Sequence, residues 1–131
     1  MLDNDPDWER WVGPMLRAGL RCEYCGLNGR KDANAFRQLC RFGLDHLIPR
    51  SLGGTDAPEN LVVACGFCQL RKAAYDPRDN CDDNTPRGRM IAKVKERLRG
   101  SWKYHDDAWT ELRQMLDEEA GEDLRIRPGR T

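Results

Sequence analysis

The sequence of 131 residues predicts a small α+β domain, with a strand, a loop, a strand and a helix in its core and further helices added at both ends. Three observations support this prediction. Two Cys-x-x-Cys pairs bracket the middle of the chain, two short apolar runs lie between them, and the flanking residues show apolar periodicity of the helical kind. The length suits a single domain with a helical appendage.

We expect five segments along the chain. They are an N-terminal helical segment, a compact core, a linker, a group of C-terminal helices and a loose tail, at residues 1–20, 21–76, 77–85, 86–121 and 122–131. In the first segment Asp5 caps a helix. Pro14 then divides or kinks this helix, because proline lacks the amide proton that the preceding turn needs. Two short helices or one kinked helix are therefore expected.

The core segment predicts two strands followed by a helix. Residues 39–48 form the first strand, which Pro49 ends because proline cannot donate to a ladder. A turn-rich loop then leads to the second strand at residues 61–64. A helix follows from Cys68 to Tyr75, whereas the polar stretch at residues 28–38 is expected to be a loop.

Two helices are expected after the linker. The first begins at Thr85-Pro86 and ends at Gly100, and the second runs from Asp107 to Ala120, with Gly121 closing it. The second helix carries an apolar stripe, which consists of Trp109, Leu112, Met115 and Leu116. We expect this stripe to pack on the domain's own core; the alternative is a docking surface for a partner protein.

Charge is unevenly distributed along the chain, although the net formal charge is zero. Residues 17–104 hold 17 Lys and Arg against 10 Asp and Glu, whereas the two flanks together hold 5 against 12. A basic centre indicates a phosphate-rich partner such as DNA. A solvated surface of mixed charge is the alternative.

The sequence shows no signal for export or membrane insertion. Its first residues are acidic and lack the apolar stretch of a signal peptide. No run approaches the ~20 apolar residues that a membrane helix needs. We therefore expect no membrane partner and a cytoplasmic protein whose thiols stay reduced. A monomer or weak dimer is expected.

Four paired cysteines form the strongest local pattern. Cys22 and Cys25 make one pair and Cys65 and Cys68 the other, with 39 residues between the pairs. Each pair offers two thiolates from one turn, and two such turns complete a tetrahedral Zn²⁺ site without an open position. Disulfides or buried thiols are the alternative. The two remaining cysteines, Cys40 and Cys81, are expected to be spare buried thiols, with a role as metal ligands as the alternative.

Asp45-His46 ends the first apolar run, a loop from Pro49 to Asp56 follows, and Asn60-Leu61 opens the second run. Together with the two Cys-x-x-Cys pairs, these residues resemble the HNH endonuclease family, over residues 22–74. The resemblance implies a ββα-metal fold, which has the predicted order of strand, loop, strand and helix. It also implies that the core at residues 21–76 is a nuclease domain with a structural zinc ion.

The resemblance implies a role for each of three residues. His46 is the general base that activates water, Asp45 binds a catalytic Mg²⁺ or Mn²⁺ ion, and Asn60 orients the His46 imidazole. Histidine titrates near neutral pH and carboxylates suit hard cations, so the residue types fit. The alternatives are a hydrogen-bonded histidine, a turn-capping carboxylate and an amide that stabilises its own loop. Adjacent strand residues converge only where a strand ends or is distorted.

Gln69 departs from the family pattern, since relatives carry His or Asn at this position as a metal ligand. Its amide oxygen binds the divalent ion directly, binds it through water, or does not bind. Arg50, Arg71 and Lys72 flank the predicted site and are expected to contact DNA phosphates, with solvated charge as the alternative.

The resemblance and the basic centre together predict a metal-dependent endonuclease that hydrolyses DNA phosphodiester bonds. The divalent ion would stabilise the leaving group. The alternative is a zinc-stapled DNA-binding module with weak or no catalysis, or an accessory subunit of a phage packaging or restriction complex.

Overall fold

The computed structural model describes residues 8–126 and the side chains of residues 8–120. Four α-helices and a two-stranded antiparallel sheet, joined by short 3₁₀ turns, make up the described chain. They are α1 (Trp8–Arg17), α2 (Ala33–Leu39), β1 (Leu44–His46), β2 (Leu61–Val63), α3 (Gly66–Lys72) and α4 (Arg87–Ile126). The chain divides into two compact units, Met1–Leu98 and Arg99–Thr131. The predicted α+β class is confirmed.

α1 runs through Pro14 as one helix, so the expected alternative of two separate helical pieces is wrong. Pro14 and Met15 are the buried residues of this helix. Proline removes one main-chain hydrogen bond from a helix, and burial of its apolar ring offsets part of the free energy lost in this way. At its end Arg17 donates from Nη2 to the Leu61 carbonyl oxygen at 2.7 Å. The predicted cap at Asp5 lies outside the described residues.

α2 occupies part of the stretch that was expected to be a loop, so the prediction for residues 28–38 is wrong there. The Asp32 side chain caps the helix by accepting from the amide of Ala35 at 2.8 Å. Only Ala35 and Leu39 are buried among its seven residues. Two buried residues are too few to show helical periodicity in the sequence. The capping residue Asp32 is the signal in the sequence that indicates this helix.

β1 and β2 form a short antiparallel ladder in which Asp45 pairs with Val62 and His46 with Leu61. The first strand has three residues instead of the predicted ten, because α2 and a turn at Gly43, with φ of +74°, precede it. All three residues of β2 are buried. Burial on both faces explains the unbroken apolar run of the second strand.

Two adjacent glycines shape the loop between the strands. Gly53 has φ of +93°, a left-handed conformation that favours glycine. At Gly54 the chain passes so close to the Ile48 carbonyl that any side chain would collide with it. The amide of Gly54 donates to the Pro49 carbonyl oxygen at 3.0 Å. The loop therefore folds back tightly after β1.

α3 begins beside the second cysteine pair and ends at Lys72, earlier than predicted, because Ala73 adopts φ of +49°. Below the sheet, apolar side chains from several elements meet in one core. Its fully buried members are Leu39, Leu47, Val62, Val63, Val94 and Leu98. The first turns of α4 therefore close the core of the first unit.

The segment predicted to be a linker, residues 77–85, is packed into the first unit. Pro77 is fully buried. Arg78 forms ion pairs with Asp76 and Asp83, at 2.9 and 2.6 Å, and donates to the Leu52 carbonyl oxygen at 3.3 Å. The polar composition of residues 77–85 therefore reflects ion pairs within the first unit rather than a flexible linker.

α4 is one helix of 40 residues where the sequence predicted two. The expected stop at Gly100 is wrong, and the helix also continues past Gly121. Glycine costs a helix interior about 1 kcal/mol but does not end it. Ion pairs one turn apart, such as Lys103 with Asp107 at 2.8 Å, support the neighbouring turns. Residues 127–131 of the predicted tail lie outside the described residues.

The apolar stripe of α4 is exposed to solvent. Trp109 is 64% exposed, and Leu112, Met115 and Leu116 are each 59% exposed. Packing of this stripe on the domain's own core stays a prediction, because the stripe belongs to the second unit and the core to the first. None of the described helices is both long and apolar enough to cross a membrane.

We predict that Gly100→Ala raises the helix content and increases the free energy of unfolding by about 0.5–1 kcal/mol, because alanine loses less backbone entropy in a helix. A Cβ at this position would meet no atom within 4 Å. Circular dichroism at 222 nm during urea unfolding measures both quantities. Gly53→Ala, at a left-handed position, is the control and should destabilise. A loss of helix in Gly100→Ala would show that α4 is not continuous there.

Candidate functional site

Four cysteines from two distant turns meet in space. The sulfur atoms of Cys22, Cys25, Cys65 and Cys68 all lie within 4.8 Å of one another, and those of Cys25 and Cys65 are 3.7 Å apart. Four sulfurs held ~2.3 Å from a tetrahedral zinc ion would be ~3.8 Å apart. The cysteines are therefore positioned to bind a metal ion, and their geometry suits zinc.

Main-chain amides face the sulfur of Cys22. The amides of Cys25 and Cys65 donate to it at 3.4 and 3.3 Å. Hydrogen bonds from the Cys25 thiol, and then from those of Cys65 and Cys68, hold the pKa of the Cys22 thiol well below its usual range. Cys22 therefore favours the thiolate, which is the form that binds metal, whereas hydrogen bonds to Cys22 and the other sulfurs raise the pKa of the Cys25 and Cys68 thiols.

The other two cysteines lie outside this cluster. Cys40 is half-buried and burial raises the pKa of its thiol, so the group stays neutral. Cys81 is exposed, so the expectation of a buried thiol is wrong at this position.

The first cysteine turn is bonded directly to the hairpin. The amide of Glu23 donates to the Val63 carbonyl oxygen at 2.7 Å, and the amide of Val63 donates to the Glu23 carboxylate at 2.8 Å. Arg87, in the first turn of α4, donates to the same carboxylate at 3.1 Å. The metal cluster is thereby attached to the strands that carry Asp45 and His46.

His46 lies on the face of β1 that borders a cavity of about 530 Å³. Its Nε2 atom lies 2.7 Å from an Asp56 carboxylate oxygen and 3.3 Å from Arg50 Nε. Nε2 donates to Asp56 only when it carries a proton, and it accepts from Arg50 only when it does not, so the two hydrogen bonds exclude each other. The shorter one assigns the proton to Nε2, which donates to Asp56 and leaves Nδ1 as the basic nitrogen. The side chain is 19% exposed.

Asp56 links His46 to Arg50. The Nη2 atom of Arg50 donates to both carboxylate oxygens, at 2.6 and 2.7 Å. Hydrogen bonds from Arg50, and then from His46, lower the pKa of Asp56 to about 2. This shift contributes stability above the unfolded pKa, near 3.9, and the contribution is lost as the pH falls toward 2. At neutral pH Asp56 is an ionised acceptor for the imidazole.

Asn60 bonds to the loop backbone, where the sequence predicted a direct hydrogen bond to His46. Its Oδ1 accepts from the Ile48 amide at 2.8 Å, and its Nδ2 donates to the carbonyl oxygens of Ile48 and Thr55 at 3.1 and 2.8 Å. The buried amide therefore fastens the two ends of the loop together. Asp56, at the far side of this loop, occupies the place beside the imidazole.

Asp45 faces the opposite side of β1 from His46. Its Oδ2 atom accepts from the Tyr24 hydroxyl at 2.8 Å and lies 3.3 Å from Lys72 Nζ. Burial raises the pKa of the Asp45 carboxyl, although Lys72 opposes the shift; the loss of hydration therefore outweighs the attraction. β1 keeps its regular alternation, so the expected convergence of Asp45 and His46 is absent.

Gln69 also bonds to the main chain. Its Nε2 donates to the carbonyl oxygens of Gly43 and Ala64, at 2.8 and 2.7 Å. Asp45 is meanwhile engaged by Lys72. Among the described residues, only the cysteine cluster brings together three or more metal-binding His, Cys, Asp or Glu side chains. The donor set expected for Mg²⁺ or Mn²⁺ is therefore not assembled in this geometry.

The three residues expected to contact phosphates differ in their surroundings. Lys72 is 1% exposed and donates to the His46 carbonyl oxygen at 2.9 Å, so the expectation that it meets a phosphate is wrong. Arg71 is exposed and stacks over an aromatic ring of its own helix. Arg50 is 62% exposed and borders the same cavity as His46.

Comparison with known proteins gives one match, to a family model. Residues 22–74 match the family model of the HNH endonuclease. This segment is similar to HNH endonuclease domains, and we call it the HNH domain. It contains both cysteine turns, β1, β2 and α3, and it leaves α1 and α4 outside. No curated protein and no solved structure shows significant similarity to the chain.

The sequence does not predict that several of the residues that line the HNH domain's cavity belong to the site. Arg10 and Trp11 line the cavity from α1, and Phe42 lines it from the turn before β1. α1 lies outside the matched segment, so neither the motif nor the resemblance pointed to it. Asp56 belongs to the quoted loop motif, but its contact with His46 depends on how Gly54 lets the loop fold back.

We predict that Cys65→Ser abolishes both metal binding and folding of the HNH domain. Structural zinc contributes an apparent ~10–16 kcal/mol in small domains, which is as large as the ~5–15 kcal/mol of a whole domain's net stability. Metal analysis by mass spectrometry and the dispersion of the amide NMR spectrum measure the two effects. Cys81→Ser, at an exposed thiol outside the cluster, is the matched control. A folded, metal-free Cys65→Ser protein would contradict this prediction.

We predict that Lys72→Met destabilises the HNH domain by about 3–5 kcal/mol, because it leaves the Asp45 carboxylate buried without its partner. Asp45→Asn in the same chain should restore much of that loss, since it removes the unpaired charge. Urea unfolding of the two single variants, the double variant and the parent gives the coupling energy. Simple additivity of the two changes would show that these side chains do not interact.

Proposed function

We propose that this protein is an endonuclease that hydrolyses DNA phosphodiester bonds with its HNH domain. The observation that carries the proposal is the pair formed by His46 and Asp56 at the wall of an open cavity, inside the matched segment. When one ring nitrogen of a histidine donates to a carboxylate, the other ring nitrogen can accept a proton. This is the arrangement of a general base.

In the proposed mechanism His46 removes a proton from water. Nε2 keeps its proton in a hydrogen bond to Asp56, so the lone pair of Nδ1 takes a proton from a water molecule whose oxygen attacks phosphorus. The bond from phosphorus to the 3′ oxygen breaks, and this leaving oxygen takes a proton from solvent, which gives a 5′ phosphate and a 3′ hydroxyl. Asp56 is ionised at neutral pH and stabilises the imidazolium that results. Asn60 contributes indirectly, because it fastens the loop that holds Asp56.

Arginines supply positive charge on the same side of the domain. Arg50 and Arg10 both line the cavity beside His46. Arg50 is partly neutralised by Asp56. Cationic groups fixed around a phosphate stabilise the negative charge that develops on its oxygens during attack. The surplus of Lys and Arg in residues 17–104 attracts the DNA backbone over longer distances.

Two kinds of metal ion enter the proposal differently. Zn²⁺ is the ion that four thiolates favour, and four sulfur ligands leave no open position for water, so its role is structural. A catalytic Mg²⁺ or Mn²⁺ ion with Asp45 and Gln69 as ligands stays a prediction from the family resemblance. Its donor set is not assembled here, so the mechanism above uses side chains of the protein alone.

A zinc-stapled DNA-binding module without catalysis is the second candidate. One observation favours it: the Lys72 ammonium lies 3.3 Å from Asp45, where the resemblance puts a divalent cation. Two positive groups at one carboxylate repel each other strongly in a buried site. Such a module would keep the basic surface and bind DNA without cutting it.

The proposed partner is DNA and the proposed location is the cytoplasm. Four reduced thiols in one cluster suit a reducing compartment. The exposed stripe of α4 remains a candidate contact for a partner protein, such as another subunit of a nuclease complex. For the isolated chain we expect a monomer or weak dimer.

Nicking of a supercoiled plasmid tests the proposal. The wild-type protein should relax or linearise the plasmid, and His46→Ala should lower the rate by about 10²–10⁴-fold, the usual contribution of a general base. Asp56→Asn should cause a smaller loss. His105→Ala, at the only other histidine of the sequence, is the matched control and should leave the rate unchanged. Reactions with Mg²⁺, with Mn²⁺ and without added ion test the metal requirement.

The same assay separates the two candidates. If the wild-type protein binds the plasmid but cuts it with none of the ions, the binding module replaces the endonuclease. If wild-type and His46→Ala proteins cut at equal rates, His46 is not the general base.

A further inference from the structure

We infer that the cavity beside His46 binds one unstacked nucleotide of a DNA strand, with the base against an aromatic wall and the phosphate toward His46. This inference rests on the proposed endonuclease function and specifies its substrate as single-stranded or locally unpaired DNA. Two aromatic residues line this cavity: Trp11 lies on α1, outside the HNH domain, and Phe42 lies inside it.

Cationic and aromatic side chains both line the cavity. We call Arg10 and Arg50, which line it together with His46, the cationic wall, and Trp11 and Phe42 the aromatic wall. A nucleotide likewise has two kinds of group, with an anionic phosphate at one end and a flat aromatic base at the other. The volume of about 530 Å³ is within the range of small-ligand sites, roughly 300–1,000 Å³. Shape and charge therefore both suit this occupant.

The rings of the aromatic wall pack against neighbouring side chains. The Trp11 ring meets the Trp8 ring edge-on, with centroids 5.6 Å apart, and lies 6.2 Å from that of Phe36. Phe42 is 46% exposed, and the Arg41 guanidinium covers one of its faces at 5.4 Å from the ring centroid. A base stacking on this wall would cover apolar surface that is now open to water.

Stacking on aromatic rings accepts every base, because each base has a π face. We therefore expect affinity without strong sequence preference. The cationic wall adds phosphate contacts, which also carry no sequence information. The site is thus built for the general chemistry of a nucleotide rather than for one base.

A base can reach this wall only after it has left its stack in the double helix. Unstacking and unpairing cost free energy in a duplex and cost least in a mismatched or single strand. The expected order of affinity is therefore single strand first, then a duplex with a mismatch, then a fully paired duplex.

Equilibrium binding tests the inference independently of cleavage. His46→Ala protein is titrated into fluorescently labelled oligonucleotides of equal length, as a single strand and as a duplex, and anisotropy is measured. In this background Trp11→Ala and Phe42→Leu should each weaken single-strand binding about 5- to 150-fold, the range for loss of one base–aromatic stack. Trp109→Ala, at an exposed tryptophan of α4, is the matched control and should bind as the parent does.

Salt dependence provides a second readout. Arg10→Ala should reduce the slope of log affinity against log salt by about 0.7, the value for one phosphate contact with a single strand, and Arg10→Lys should restore it. Trp11→Ala also removes packing against neighbouring rings, so its thermal unfolding is recorded in parallel. Phe42→Leu keeps an apolar side chain at an exposed position and decides the question if Trp11→Ala does not fold.

Equal affinity for single strand and duplex, or unchanged single-strand affinity of Phe42→Leu, would overturn the inference even if the wild-type protein cuts plasmid. Absence of cutting, with single-strand binding that depends on Trp11 and Phe42, would instead overturn the proposed catalysis and keep the nucleotide site.

Discussion

The convergence of four sulfur atoms is the constraint on which the rest of the structure depends. One cysteine turn follows α1 and the other opens α3, so a metal ion between them fixes 39 intervening residues at both ends. Hydrogen bonds between Glu23 and Val63 join the first turn to β2. A sheet of two three-residue strands is too small to be stable alone. The metal cluster and the core beneath it therefore hold β1, and with it His46, in position.

The alternation of β1 places His46 and Asp45 in different surroundings. On one face, His46 meets Asp56, Arg50 and an open cavity. On the other, Asp45 is buried with Tyr24 and Lys72. Two neighbouring residues thus have unlike roles in this geometry: His46 is held at its Nε2 atom and remains accessible, whereas Asp45 connects α3 to the hairpin. Asn60 acts between the two, because its amide closes the loop that brings Asp56 back to the imidazole.

The sequence predicted the elements that short motifs specify and missed those that tertiary contacts create. The cysteine spacing, the α+β class and the HNH resemblance were correct, since ligand geometry needs only a few fixed residues. α2 was missed because only Ala35 and Leu39 of its residues are buried. The break expected at Gly100 was wrong because glycine merely weakens a helix. Asp56, Tyr24 and Trp11 could not be assigned, because their partners are distant in sequence or depend on loop closure.

X-ray absorption spectroscopy at the zinc edge of the purified protein tests the central claim most directly. The account predicts one zinc ion per chain with four sulfur neighbours at about 2.3 Å and no oxygen or nitrogen neighbour. A shell that mixes sulfur with lighter atoms, or a folded protein that contains no bound metal, would contradict the account, because the anchor of the hairpin would then be something other than the four cysteines.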